Sequence, residues 1–224
     1  MLYLITTPIG NLNDISQRAI EVLEKVDILL CEDTRSNLLD LLGIKNKPIR
    51  ESFYDEVEER KIPQIIKWLR EGKIIGLITK AGTPLISDPG WRLVKQCQKL
   101  GLKYTAIPGP CAAINALVLS GLPPSRFSFL GFLPKRSADR MKILSNYKEI
   151  EGVKIVYESP YRIQRLIGEI KAIYGDNAEI IVCREMTKKF EEIIHIGTCQ
   201  GRNPGAFPEN AKGEITVVFK GVSV

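Results

Sequence analysis

Apolar residues recur along this chain in two alternating rhythms. Ile62, Ile65, Ile66 and Leu69 fall at i, i+3, i+4 and i+7, one stripe of an amphipathic helix, and Pro63 within the pattern marks a start or a kink. Helical stretches are predicted over residues 16–25, 58–70, 92–100, 111–120, 138–147 and 161–174. Asp14 followed by Gln17 reads as a capping box ahead of Ala19, Leu23 and Val26. Short β-rich runs lie between and after these stretches and predict strands over 2–6, 28–31, 74–78, 104–107, 127–130, 154–157, 179–183, 193–197 and 214–219.

Alternation of strand and helix predicts an α/β fold with mostly parallel pairing. The end of the chain departs from it. Two β-rich runs follow each other from Glu191 onward, joined by residues 198–212 with Gly201, Pro204, Gly205 and Pro208, which suits an antiparallel return. Two turn-rich clusters, Pro108-Gly109-Pro110 and Gly121, Pro123 and Pro124, place a domain boundary within 102–124. The expected division is an N-terminal α/β domain, 1–110, and a C-terminal α/β domain, 111–224.

Composition narrows the class. With 44% hydrophobic and 26% charged residues, the 224-residue chain reads as an ordinary globular protein. A net charge of +6 is compatible with a polyanionic partner, and equally with a merely basic protein. The five cysteines, Cys31, Cys97, Cys111, Cys183 and Cys199, are odd in number and lack a C-x-x-C pair, so reduced thiols are expected. His195 is the only histidine, which rules out a multi-histidine metal centre within one chain and disfavours a Ser-His-Asp triad. The start, MLYLITTPIG, lacks the basic region of a signal peptide, and no apolar run approaches a membrane span. A cytoplasmic protein with no membrane and no metal is expected.

Candidate chemistry gathers where strands end, because ligands of open α/β sheets bind outside the carboxyl ends of strands. Four loops stand there: Thr7-Pro8-Ile9-Gly10-Asn11, Glu32-Asp33-Thr34-Arg35, the stretch from Ala81 to Gly90, and Pro108-Gly109-Pro110-Cys111-Ala112. Glycine and proline let a backbone approach a ligand closely, although any one such loop also reads as a tight turn. Neither a G-x-G-x-x-G nor a G-x-x-x-x-G-K-[ST] string is present, so a nucleotide phosphate site has no direct support.

Taken in order, these loops resemble the tetrapyrrole methylase superfamily, and within it the 2′-O-ribose methyltransferases of small-subunit ribosomal RNA. The likeness is carried by TPIGNLNDIS (7–16), EDTR (32–35), AGTPLISDPGWRLV (81–94), IPGPCAAI (107–114), GFLP (131–134), YESPYR (157–162), REMTKKFEE (184–192) and KGE (212–214). The chain departs from the family pattern at Thr79-Lys80, where Ser-Asp is usual, and at Glu56-Val57-Glu58, where a His-Asn-Glu element is usual. It also ends soon after Val218, where many relatives continue.

The resemblance implies a two-domain fold, a homodimer, S-adenosyl-L-methionine in a cleft between the domains, and a cytidine ribose hydroxyl of small ribosomal subunit RNA as acceptor. It implies cofactor contacts at Pro8, Ile9, Gly82, Thr83, Ile86, Cys111, Ala112, Tyr157, Met186, Lys212 and Gly213. Glu32, Asp33 and Arg35 are the catalytic candidates. The implied reaction is in-line transfer of a sulfonium methyl group; its leaving group is a neutral thioether, so no metal is needed. The base that removes the hydroxyl proton is left open among a carboxylate, a neutral lysine and solvent. Two rivals stand beside this reading: methylation of a small tetrapyrrole-like substrate, and a cofactor-binding module without catalysis.

Several residues carry two readings. Glu32 and Asp33 either act in chemistry or form a surface pair with Arg35. Asp88 reads first as a cap on the helix at Trp91. Lys135, Arg136, Arg140, Lys188 and Lys189 either grip RNA phosphate or form a solvated basic face. Lys80 faces phosphate or replaces a surface acid. Tyr157 and Tyr161 either stack on a base or pack, and His195 reads as structural.

Overall fold

The computed structural model describes residues 1–196, 207–208 and 212–221. By internal contacts the chain divides into two compact units, Met1–Cys111 and Ala112–Val224.

The first unit runs β1 (Leu2–Ile5), a 3-10 helix (Leu12–Asp14), α1 (Gln17–Leu23), β2 (Ile28–Cys31), α2 (Leu38–Leu41), β3 (Ile49–Ser52), α3 (Asp55–Arg70), β4 (Ile75–Leu77), α4 (Trp91–Lys99) and β5 (Tyr104–Ile107). Its five strands lie in the order β3-β2-β4-β1-β5 and every pair is parallel. Successive side chains of a strand point to opposite faces, and both faces here are covered. Leu2, Leu4, Ile28, Leu30, Ile75 and Leu77 pack with Ile65, Ile66, Leu69 and Leu93 of α3 and α4. Ile5, Leu29, Cys31 and Ile107 pack on the other face with Ala19, Leu23 and Leu39. Burial on both sides is why these strands read as unbroken apolar runs.

Several local expectations change. The cap of α1 is Ser16, whose hydroxyl accepts the Ala19 N–H at 3.1 Å; Asp14 instead closes the 3-10 helix, which Asn11 caps. Helix α3 starts at Asp55 and runs through Pro63. Proline there removes one backbone hydrogen bond, but burial of Val57, Ile65, Ile66 and Leu69 holds both halves on the sheet. Strand β3, Ile-Arg-Glu-Ser, was not expected. It is an edge strand with no fully buried residue, so it carries no hydrophobic signature.

The second unit runs α5 (Ala112–Ser120), β6 (Phe127–Phe132), α6 (Ser137–Asn146), β7 (Val153–Glu158), α7 (Ile163–Tyr174), β8 (Glu179–Arg184), β9 (Glu192–Ile196) and β10 (Ile215–Lys220). The order is β6-β7-β10-β8-β9, with β6 and β7 parallel and the remaining neighbours antiparallel. The expected antiparallel return is therefore not a pairing of the last two strands with each other. Both pair with β8, and β10 is inserted between β7 and β8, where five of its six residues are buried. Most of 198–212, and Cys199 with it, lies outside the described residues.

Candidate functional site

All strands of the first sheet point the same way, so the loops after β1, β4 and β5 leave neighbouring strands at one end. They are joined there. Thr7 and Gly82 exchange N–H···O bonds of 3.0 and 3.1 Å, and the Thr83 hydroxyl donates to the Pro110 carbonyl at 3.0 Å. Gly82 has φ +80°, and an added Cβ would lie 3.2 Å from the Ile9 side chain and 3.6 Å from the Pro110 oxygen. Gly109 approaches Thr6 so closely that a Cβ would stand 2.9 Å from its methyl group. Glycine at these two points is what allows three backbones to meet. Pro8, Ile9 and Gly82 are buried, Thr83 is half-buried and Ile86 is exposed. Leu85 and Ser87 sit in the left-handed region, at φ 73° and 67°, a strain that concentrates at functional loops. The buried Thr7 hydroxyl has no hydrogen-bond partner among the described residues.

Carboxylates gather at this same end. Asp88 is half-buried, and its pKa is pushed up to about 6, first by burial and then by the negative charges of Glu32 and Asp55. Glu32 follows β2, Asp55 opens α3 after β3, and Asp88 lies in the loop after β4. Asp33 and Arg35 form the surface pair that the sequence left open. The Asp33 carboxylate accepts from the Arg35 N–H at 2.9 Å and from Nε at 3.3 Å, and these bonds, the backbone one first, hold its pKa below the ordinary value. Lys80 is exposed.

Asp88 does not cap α4 as expected. The cap residue is Gly90, and it makes no side-chain bond. Glu58 of α3 fills the role, its Oε1 accepting from the N–H groups of Arg92 at 3.1 Å and Leu93 at 3.2 Å. Sequence reasoning missed Glu58, although a signal was present. It stands four residues before Ile62, a charge in line with the apolar stripe.

Cys111, half-buried, is the last residue of the first unit, and Ala112 opens α5 in the second. Within the second unit, the Tyr157 hydroxyl accepts the Ala113 N–H at 3.2 Å, and its ring packs on Phe129 and Phe132 at centroid distances of 5.0 and 5.4 Å. The buried Met186 sulfur accepts from the Asn115 amide at 3.7 Å. The structure thus brings Ala112, Tyr157 and Met186 around α5.

The turn after β8 is braced by Lys212-Gly213-Glu214. Glu185 and Thr187 are left-handed, at φ 50° and 66°. The Arg184 guanidinium donates to the Lys212 carbonyl at 2.8 Å and to Glu192 at 2.9 Å. The Glu185 carboxylate accepts the Glu214 N–H at 2.8 Å. Gly213 leaves room for it, since a Cβ there would stand 2.5 Å from Glu185. The Lys188 ammonium lies 2.9 Å from Glu185 and 2.8 Å from Glu214, so its charge is neutralised locally. Lys189 is exposed, 5.6 Å over the Phe190 ring.

Of the other basic candidates, Lys135 and Arg136 are exposed. Arg140 is not available to phosphate. It is fully buried and paired with Glu169 at 2.5 Å. Tyr161 is 89% exposed, and His195 stands opposite Ile181 in the β8–β9 ladder. Cys31, Cys97, Cys111 and Cys183 are free thiols. Among the described residues, no cluster of three His, Cys, Asp or Glu side chains is placed to hold a metal, and no helix is long and apolar enough to cross a membrane.

The chain resembles known proteins over nearly its whole length. Residues 1–200 match the family Tetrapyrrole (Corrin/Porphyrin) Methylases. A protein of Pasteurella multocida named ribosomal RNA small subunit methyltransferase I is 42% identical over 224 residues, covering 99% of this chain and 79% of the relative. Its namesake in Thermotoga maritima is 38% identical, covering 98% of both chains. The crystal structure of uroporphyrin-III-C-methyltransferase from Thermus thermophilus shares the fold at a TM-score of 0.62 and 15% identity, over 97% of this chain and 93% of that one. The chain therefore belongs to the tetrapyrrole (corrin/porphyrin) methylase family and is a methyltransferase of that family.

Proposed function

We propose that this methyltransferase acts in the cytoplasm as a homodimer and methylates the 2′-hydroxyl of a cytidine ribose in small-subunit ribosomal RNA, with S-adenosyl-L-methionine as donor. The observation that carries the reading is the mesh of Thr7, Gly82 and Pro110 at the carboxyl end of a parallel sheet, with carboxylates beside it. The names of the relatives at about 40% identity point to small-subunit ribosomal RNA as the class of acceptor.

The residues fit the donor. A bare Cα at Gly82 gives close access to main-chain groups, and the buried Thr7 hydroxyl has spare hydrogen-bonding capacity. Burial is the first cause of the raised Asp88 pKa, and the negative charges of Glu32 and Asp55, which come after it, favour a sulfonium cation. Within the first unit, Pro8, Ile9, Gly82, Thr83, Ile86 and Cys111 are assigned to donor binding, on the strength of the family likeness. When bound, S-adenosyl-L-methionine supplies an electrophilic methyl group on a neutral leaving group.

The chain's own task is then to orient the ribose, exclude water and take one proton. Asp33 and Arg35 are assigned to ribose alignment, with Glu32 beside them. Asp88 is assigned to proton acceptance, since a carboxylate with a pKa of about 6 combines basicity with ionisation near neutral pH. Lys135, Arg136 and Lys189 are assigned to phosphate, and Lys188 to bracing the loop that carries Lys189.

The test is incubation of the protein with unmodified small subunits and methyl-labelled donor, followed by mapping of the labelled nucleotide. Label on a cytidine 2′-oxygen is expected. Label on a base, label only in a small tetrapyrrole, or donor binding without transfer would overturn the reading.

A further inference from the structure

Arg140 is the largest fully buried side chain among the described residues, and the proposed reaction makes no use of it. A buried ion pair is a costly way to fill a core, and apolar residues of similar volume often serve stability as well. This one does something that an apolar side chain could not. Arg140 Nε and Nη2 grip Glu169 of α7 at 2.5 and 2.6 Å, and the Ser137 hydroxyl donates to the same carboxylate at 2.7 Å. The remaining branch, Nη1, donates to the carbonyls of Pro134 at 2.9 Å and Lys135 at 3.1 Å. The guanidinium fork thus ties the turn between β6 and α6 to α7 through its main chain. That turn carries two side chains outward, the exposed Lys135 and Arg136.

Aromatic surface flanks the turn. Phe132, the last residue of β6, is 61% exposed, and it pairs in register with Tyr157 of the parallel neighbour β7. Tyr161, 89% exposed, sits just past the end of β7 in a turn closed by the Arg162 N–H on the Ser159 carbonyl. Because β6 and β7 are parallel neighbours, Phe132, Lys135, Arg136 and Tyr161 all leave the sheet at one end. Exposed rings interleaved with cations match single-stranded nucleic acid, whose bases offer π faces and whose backbone offers phosphates.

We propose that this edge of the second unit docks single-stranded RNA, with Phe132 and Tyr161 stacking on bases, Lys135 and Arg136 holding phosphates, and Arg140 as the positioning residue that sets the turn. The proposal rests on the RNA reading of the function. It adds the surface, the single-stranded character of the partner and the buried device beneath it.

The experiment measures binding of a fluorescein-labelled unstructured RNA oligonucleotide to the whole protein across a salt series, with calorimetric donor binding alongside. The double variant Lys135→Ala/Arg136→Ala should weaken binding at least tenfold and shallow the salt slope by about 1.4, at about 0.7 per lost phosphate contact on a single strand. The double variant Phe132→Ala/Tyr161→Ala should weaken binding about thirtyfold or more, as loss of two stacking contacts predicts, and leave the slope unchanged. The swap Arg140→Met/Glu169→Leu should stay folded, keep donor affinity and lose RNA affinity. Should the swap not fold, Arg140→Lys, which keeps the charge but loses the fork, carries the same expectation.

Wild-type affinity and slope in both surface variants would overturn the proposal, as would RNA affinity kept in a folded swap or in Arg140→Lys. Equal displacement of the RNA by duplex RNA or by polyglutamate would overturn its single-stranded character. Failure of the intact protein to bind the oligonucleotide while it still methylates small subunits would overturn this proposal and leave the proposed function standing. Binding that follows these expectations without methyl transfer to small subunits would overturn the function alone.

Discussion

Glu58 and Arg92 form a cap between helices: one carboxylate oxygen of Glu58 accepts the Arg92 backbone N–H at 3.1 Å, and the other pairs with the Arg92 guanidinium at 3.1 Å. The Glu58 side chain is wholly buried, so it satisfies two donors at the start of α4 from 34 residues away. Glu58→Ala should lower unfolding free energy by about 2–3 kcal/mol, the scale of a lost cap with charged hydrogen bonds. Glu58→Gln, which keeps an acceptor, should lose less. Urea unfolding decides it, and equal stability of Glu58→Ala and wild type would remove the cap from the account.

Asp88 yields a pH test. Its pKa is raised to about 6 from an ordinary 3.8, so the folded state holds the proton more tightly than the unfolded one. The stability it contributes is present below about pH 4 and is lost as pH rises through about 6. Asp88→Asn should therefore melt higher than wild type at pH 8 and lose that advantage at pH 4. In single-turnover methylation the same variant should fall about 10²- to 10⁴-fold and lose the acid limb near pH 6, as removal of a general base predicts. An unchanged acid limb would return the base to another group.

Gly82 separates cofactor geometry from stability. Alanine there must adopt φ +80° and press on Ile9, a strain of about 1–3 kcal/mol. Gly82→Ala should weaken donor binding at least tenfold, in line with a loss of about 1.4 kcal/mol or more, while the protein stays folded at room temperature. Calorimetric donor binding equal to wild type would move the donor away from this loop.

Asp33 and Arg35 pair on the surface, with side-chain exposures of 58% and 90%. Replacing either by Ala should leave the melting temperature and donor affinity near wild type. Turnover on small subunits should fall, because these groups are assigned to the ribose. Wild-type turnover in both variants would remove them from the mechanism.

Lys188 and Lys189 are adjacent but should respond differently. Lys189→Ala should shallow the salt dependence of RNA binding by about 0.7, as loss of one phosphate contact predicts. Lys188→Ala leaves Glu185 and Glu214 facing each other without their shared cation, so it should lower the melting temperature and leave the slope unchanged. A slope change in Lys188→Ala alone would reverse the assignment.

What the sequence determined by itself was the rhythm of burial. Strands β1, β2 and β4 could be read from apolar runs because both faces of a parallel sheet are covered, and the glycine- and proline-rich loops mark strand ends because only such residues let backbones meet. Strand β3 was silent, since an exposed edge leaves no apolar trace. Periodicity records that a residue meets apolar matter, never which partner it meets. The tertiary structure therefore decided that β10 enters between β7 and β8, and that Glu58 rather than Asp88 caps α4. It also decided that Arg140 turns inward to Glu169 while Lys135 and Arg136 stay outside. The proton affinity of Asp88 belongs to the same class. It is set by burial and by Glu32 and Asp55, which the sheet alone brings to one end.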